Sequence, residues 1–103
     1  MDQERRRSPR FPFIASAEVH SQDNGSRLAA RVSDISAAGC YIDTVNPLPS
    51  GTEVRVKILN DTQAFEAAAT VVYSHTHLGM GLRFGDIPLN SQSVLRNWLP
   101  ATI

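Results

Sequence analysis

The 103-residue chain contains a single cysteine, Cys40. One thiol excludes a disulfide within the chain and a cysteine-rich zinc site, and it fits a reducing compartment. Net charge is missing too, because ten Lys and Arg offset ten Asp and Glu. Surfaces that bind nucleic acid or membranes generally carry a basic excess, so any anion binding here must be local. No run approaches the ~18 apolar residues of a membrane-spanning helix, and no apolar segment of signal-peptide length follows the N-terminal arginines. The chain therefore reads as cytoplasmic, without membrane insertion, and Met1 as its natural start.

What is present points to one domain with a modest core, since 42% of the residues are hydrophobic. Turn formers punctuate the chain densely. "SQDNGS" holds Asn24-Gly25, the best hairpin signal, and "NPLPSG" (46–51) is a proline-limited loop. "NDTQ" (60–63) and "HTHLG" (75–79) read as short connections. Strand-like runs lie between them: Phe13 to His20, Arg27 to Val32, Gly39 to Thr44, Thr52 to Leu59, Phe65 to Ser74 and Leu78 to Phe84. In "TEVRVKIL", Val54, Val56 and Ile58 share one face and Glu53, Arg55 and Lys57 the other. After Pro88 the period changes. Val94, Leu95, Trp98 and Leu99 fall at helical spacing, with Asn90 or Ser91 as N-cap and Pro100 as the stop. Short strands followed by one helix predict a small closed or nearly closed antiparallel barrel, an architecture that removes exposed sheet edges.

Catalytic and metal chemistry find little support. His75 and His77 would share a strand face, but no third ligand stands at a useful spacing, so they read as exposed polar residues. Cys40 reads as a small core residue and Trp98 as the core anchor of the helix. The serines show no partner arrangement, and "GMG" lacks the third glycine and following helix of a dinucleotide loop. No enzyme activity, metal site or cofactor is expected.

Two stretches remain. "RRRSPR" (Arg5 to Arg10) gathers four of the ten basic residues just ahead of the first strand-like run. A solvated tail, an anion clamp and a nucleic-acid arm share that pattern. Arg10 lies between Pro9 and Phe11, which holds it near the fold. "DISAAG" (Asp34 to Gly39) joins the second and third runs. Asp34 and Ser36 either hydrogen-bond their own backbone in a tight turn or present two polar groups to one side, and Gly39 permits close backbone approach. Guanidinium groups match phosphate oxygens and the O6/N7 edge of guanine, while a carboxylate accepts from guanine N–H groups. An arginine pair facing this turn would suit an anionic purine nucleotide.

In order and separation these motifs resemble the PilZ domain family of bacterial cyclic di-GMP receptors. That family carries RxxxR before the first barrel strand, here "RRSPR" (Arg6 to Arg10), and [D/N]xSxxG between the second and third strands, here "DISAAG". A closing GxGxxF-like pattern is matched by "GMGLRF" (Gly79 to Phe84). The resemblance implies a six-stranded antiparallel β-barrel with a short C-terminal α-helix over residues 13–103, preceded by a mobile arm over residues 1–12. It implies a non-enzymatic signalling module whose ligand is cyclic di-GMP. Arg6 and Arg10 would grip phosphate and guanine edges, and Asp34 and Ser36 would hydrogen-bond guanine or phosphate. Gly39 would let the backbone pass close to the ligand. Arg5, just ahead of the motif, would stack on a base and favour an intercalated nucleotide pair. Tyr73 is assigned to core packing, with a stacking surface as the other role. The nucleotide would clamp the arm onto the barrel and change the surface seen by an effector protein. The alternative is a protein-interaction adaptor on the same barrel, with weak or no nucleotide binding. Neutral charge and few strand aromatics oppose a single-stranded nucleic-acid binder, so neither DNA nor RNA is an expected partner.

Overall fold

The computed structural model describes residues 9–23 and 25–100. Among them six strands form: β1 (Phe11–Ser21), β2 (Arg27–Ile35), β3 (Gly39–Asp43), β4 (Glu53–Leu59), β5 (Ala64–His75) and β6 (Gly79–Phe84). One helix, α1 (Leu89–Trp98), follows. Each strand pairs antiparallel with its neighbours in the order β1-β2-β3-β6-β5-β4, and β4 returns to β1 to close the barrel. The expected six-stranded antiparallel barrel with its C-terminal helix is thus the observed fold.

Alternation explains the strands. Val54, Val56 and Ile58 of β4 point into the barrel and are buried, whereas Glu53 and Arg55 are exposed. Val19, Val32, Ile35, Ile42, Phe65, Val71 and Met80 are the other large, fully buried side chains of the interior. Each fully buried side chain of this size contributes about 1.5–3 kcal/mol relative to exposure. The β4–β5 turn is set by Asn60, whose Oδ1 accepts the N–H groups of Thr62 at 3.1 Å and Gln63 at 2.8 Å.

The helix packs against β5. Leu95 is buried, and Trp98 meets Phe13 and Phe65 at ring-centroid distances of 4.9 and 6.2 Å. Its start differs from the expected one. The N-cap is Pro88, without a side-chain cap, so Asn90 and Ser91 lie inside the helix. Ser91 is buried and its Oγ accepts the Glu66 N–H at 3.0 Å. The hydroxyl ties the helix to β5 instead of capping its own N-terminus.

β1 begins at Phe11, so Phe11 and Pro12, expected from the sequence to belong to the arm, are strand residues paired with Ile35 and Asp34. Arg5 and Arg6 lie outside the described residues. Three register shifts interrupt the ladders: one lies between Pro12 and Ala15 of β1 against β2, and the other two decide which side chains face the outer wall. In β2, Val32 pairs with Ile42 and Asp34 with Tyr41, which leaves Ser33 as an extra residue against β3. In β5, Val71 pairs with Leu82 and Tyr73 with Gly81, which leaves Val72 as an extra residue against β6. Such bulges switch the later side chains of the strand to the other face of the sheet.

Candidate functional site

Strict alternation from the buried Val32 would send Asp34 inward. The bulge at Ser33 sends Ile35 inward instead and leaves Asp34 on the outer wall. Likewise, alternation from Phe65 through Val71 would bury Tyr73. The bulge at Val72 turns Tyr73 outward, so the core-packing role assigned to it does not hold. Both residues then belong to one cross-strand row on the outer wall, which reads Pro12, Asp34, Tyr41, Gly81 and Tyr73 through the pairings of β1, β2, β3, β6 and β5.

Arg10, one residue before β1, reaches over this row. Its Nη2 donates to the Tyr73 hydroxyl at 2.7 Å, and its Nη1 lies 3.6 Å from Asp34 Oδ2. The Tyr73 hydrogen bond, aided by the Asp34 charge and opposed by partial burial, raises the Arg10 pKa above its ordinary value. The guanidinium side chain keeps 44% of its exposure, so its ion pair with Asp34 contributes no more than about 1 kcal/mol. Asp34 Oδ1 is buried and has no hydrogen-bond partner among the described residues. An unmatched buried acceptor is costly, and it favours any donor able to reach it.

The other two positions of the turn motif serve its shape. Ser36 is buried; its Oγ accepts the N–H groups of Ala38 and Gly39, both at 3.1 Å. Its N–H donates to the Gly39 carbonyl at 2.8 Å. A Cβ on Gly39 would overlap the Leu82 carbonyl of β6. The close approach that Gly39 permits is therefore to its neighbouring strand.

Tyr73 and Tyr41 share this wall with Arg10 and Asp34, a placement that the sequence pattern did not show. Tyr41 shares a hydrogen bond of 3.0 Å with His75 Nδ1. Burial first, then Tyr73, Asp43 and Asp34, push the Tyr41 phenol above its ordinary pKa, so it is a neutral hydroxyl at pH 7. Cys40 is buried behind this wall, and desolvation pushes its thiol up, which makes it a poor nucleophile. Among the described residues no cluster of three or more His, Cys, Asp or Glu is placed to hold a metal, and no helix is long and apolar enough to cross a membrane. Two shallow surface grooves, of about 520 and 680 Å³, include neither Arg10, Asp34 nor Tyr73 in their linings.

A family model for the PilZ domain matches residues 4–100. The chain belongs to the PilZ domain family. No curated relative matches it by sequence. Solved PilZ structures share its fold at low identity. The PilZ domain of CeSA from a cellulose-synthesizing bacterium superposes with a TM-score of 0.69 at 22% identity, covering 88% of this chain and 95% of that one. The Bacillus subtilis inhibitor of motility MotI/DgrA gives 0.72 at 21% identity, over 91% of this chain and 48% of that one. Escherichia coli YcgR, solved in complex with c-di-GMP, gives 0.74 at 18% identity, over 90% and 43%. This PilZ chain thus spans about half the length of MotI or less than half of YcgR.

Proposed function

We propose that this PilZ domain is a cyclic di-GMP receptor without catalytic activity, acting as a cytoplasmic signalling module. The observation that carries the reading is the pairing of an exposed Arg10 guanidinium with the half-satisfied Asp34 carboxylate on one wall. Guanine offers the complement to both. Its O6 and N7 accept from a guanidinium, and its N–H groups donate to a carboxylate. Family membership and the c-di-GMP complex of YcgR support the same ligand.

In this reading Arg6 and Arg10 hold phosphate and guanine edges, and Arg5 stacks on a base and favours an intercalated nucleotide pair. Asp34 takes guanine donors, while Ser36 and Gly39 hold the turn that presents it. The ligand orders the arm against the barrel, and an effector protein reads the changed surface. Ordering costs about 1–2 kcal/mol per residue fixed. Several charge-assisted hydrogen bonds, at about 1.5–3 kcal/mol each, offset that cost.

Isothermal titration calorimetry with cyclic di-GMP tests the proposal, with GTP and a single-stranded oligonucleotide as controls. Saturable binding to cyclic di-GMP alone is the expected result, and its stoichiometry counts the nucleotides held. Absence of binding, confirmed by an unchanged melting temperature, would overturn the reading in favour of a protein-interaction adaptor. Oligonucleotide binding that weakens steeply with salt would instead favour a nucleic-acid binder.

A further inference from the structure

The barrel face turned away from Arg10 and Asp34 has a charge pattern of its own. In the closed order β1-β2-β3-β6-β5-β4, the β1–β4 seam lies across the ring from the β3–β6 pair that carries Tyr41 and Gly81. One outward row over this seam reads Arg27, His20 and Arg55, because His20 of β1 is the cross-strand partner of Arg27 on β2 and of Arg55 on β4. Both arginines are exposed. Among the described residues neither guanidinium has a carboxylate within ion-pair distance. We propose that this row is a docking surface for an acidic segment of a partner protein, open whether or not the opposite wall holds a nucleotide.

The neighbouring charges on the same face already have partners. Arg31 pairs with Asp43 at 3.3 Å. Glu18 is the cross-strand partner of Lys57 and lies 3.6 Å from His20 Nε2. Arg27 and Arg55 are left over. Cross-strand neighbours of opposite charge stabilise a sheet, and an arginine, an imidazole and a second arginine give it no such gain. A guanidinium matches a carboxylate with two parallel donors. Each arginine is one strand from His20, so their backbones lie about 10 Å apart. Two carboxylates of one segment can span that separation.

Shape supports the same occupant. Arg55 also lines a groove of about 520 Å³ whose other side includes Gly85, Ile87 and Pro88. The floor between is low, since the β5 partner of Arg55 is Ala68 and the Ala68 carbonyl accepts the Gly85 N–H. Leu89, next to Pro88, is 80% exposed. A segment laid along the row therefore ends against an apolar rim at the start of α1. Other anions fit less well. Asp86 lines the same groove, and Glu53 stands two residues from Arg55 on the same face of β4. These carboxylates repel a uniform polyanion such as a nucleic-acid strand or an anionic membrane. A protein segment can alternate acidic with neutral residues and avoid them.

Fluorescence anisotropy of a short fluorescein-labelled peptide of repeated Glu-Glu-Leu tests the surface, and amide NMR shifts of the full chain locate the contact. A Lys-Lys-Leu peptide, a single-stranded oligonucleotide and phosphatidylglycerol vesicles are the comparison ligands. The parent is set against Arg27→Gln, Arg55→Gln, the double variant and Arg96→Gln, which removes an exposed arginine of α1; melting temperatures verify that each is folded. Each single variant of the row is expected to weaken Glu-Glu-Leu binding about threefold, and the double variant about tenfold. Arg96→Gln should bind like the parent. Shifts should cluster around His20 on β1, β2 and β4, and saturating cyclic di-GMP should leave the peptide bound. Failure of the peptide to bind, equal affinity for parent and double variant, or displacement by cyclic di-GMP would overturn the docking surface. Oligonucleotide or vesicle binding that exceeds the peptide's and is lost in the double variant would overturn it in favour of a nucleic-acid or membrane contact.

Discussion

Replacing Gly39 by alanine separates a structural glycine from a ligand-contacting one. A Cβ at this position would overlap the Leu82 carbonyl oxygen and lie 3.0 and 3.2 Å from Leu82 C and Arg83 Cα. All three obstructing atoms are backbone, so no side-chain rotation relieves the clash. β3 and β6 must separate locally. The bonds at risk are the ladder at the Cys40–Leu82 pair, the Phe84 N–H to Ala38 carbonyl bond of 2.8 Å, and the Ser36 N–H to Gly39 carbonyl bond of 2.8 Å. Three backbone hydrogen bonds at a net ~1 kcal/mol each give about 3 kcal/mol. For a domain of this length, each kcal/mol shifts the melting temperature by about 4–8 °C, so the expected loss is about 12–24 °C. Circular-dichroism melts without nucleotide measure it, with Gly51→Ala as a comparison. Gly51 has φ +91° but open space around its Cβ, so only conformational strain of about 1–2 kcal/mol applies. A Gly39→Ala protein that melts within about 5 °C of the parent, yet loses ligand, would refute the argument and make Gly39 a ligand contact.

Arg10→Ala and Asp34→Ala should each weaken cyclic di-GMP binding by one to two decades, from about 1.5–3 kcal/mol per lost charge-assisted contact, and calorimetry reads this directly. Neither should move the melting temperature by more than a few degrees, because their mutual ion pair is weak; a large drop would mean that the pair is structural. Ser91→Ala should cost about 1 kcal/mol, since it strands the Glu66 N–H, whereas Asn90→Ala should be nearly silent. Equal urea midpoints for these two variants would contradict the helix assignment. Burial raises the Cys40 pKa in the folded state, so above about pH 9 the unfolded thiol ionises while the folded one stays protonated. The unfolded state then binds fewer protons, and stability from this group falls by about 1.4 kcal/mol per pH unit. Urea melts of the parent and Cys40→Ala between pH 7 and 10.5 should diverge in that direction; parallel curves would count against it.

The barrel was legible because its strands obey their pattern where they can. Val54, Val56 and Ile58 alternate without interruption, and Asn60 closes the turn after them in the way its residue type favours. The site was less legible because it departs from the pattern. Tyr73 occupies a position that alternation assigns to the core, and one extra residue, Val72, reverses it. No local signal marks that bulge, since Val72 and Val71 are equally good strand residues. Asp34 depends on the same device at Ser33. For Ser36 the difficulty is different. Its hydroxyl suits both a ligand and a turn, and its use in the turn shows only in the positions of the Ala38 and Gly39 N–H groups. Ser91 repeats the problem at the helix, where a good capping residue is instead used by β5.

The two bulges also bear on how the proposed receptor exchanges partners. Without them Asp34 and Tyr73 would point into the barrel, and Arg10 would have nothing to meet on the wall. With them, Arg10 already has two partners before any nucleotide arrives. Those partners differ in what a ligand must displace. The Arg10–Asp34 contact is 3.6 Å long with a side chain that keeps 44% exposure, so giving it up costs no more than about 1 kcal/mol. The Tyr73 bond is shorter, at 2.7 Å, but it uses one nitrogen of a group with five donors. A phosphate or guanine edge can take the remaining donors while Tyr73 keeps its own. Asp34 loses nothing at Oδ1, which has no partner among the described residues to give up. The wall therefore holds its charged groups in place through contacts weak or partial enough to coexist with a ligand. Preorganisation of this kind raises affinity by lowering the ordering cost. Tyr73→Phe should accordingly weaken binding through a less ordered Arg10, and its effect should vanish in an Arg10→Ala background. Additive losses in that double-mutant cycle would show that the hydroxyl and the guanidinium act independently.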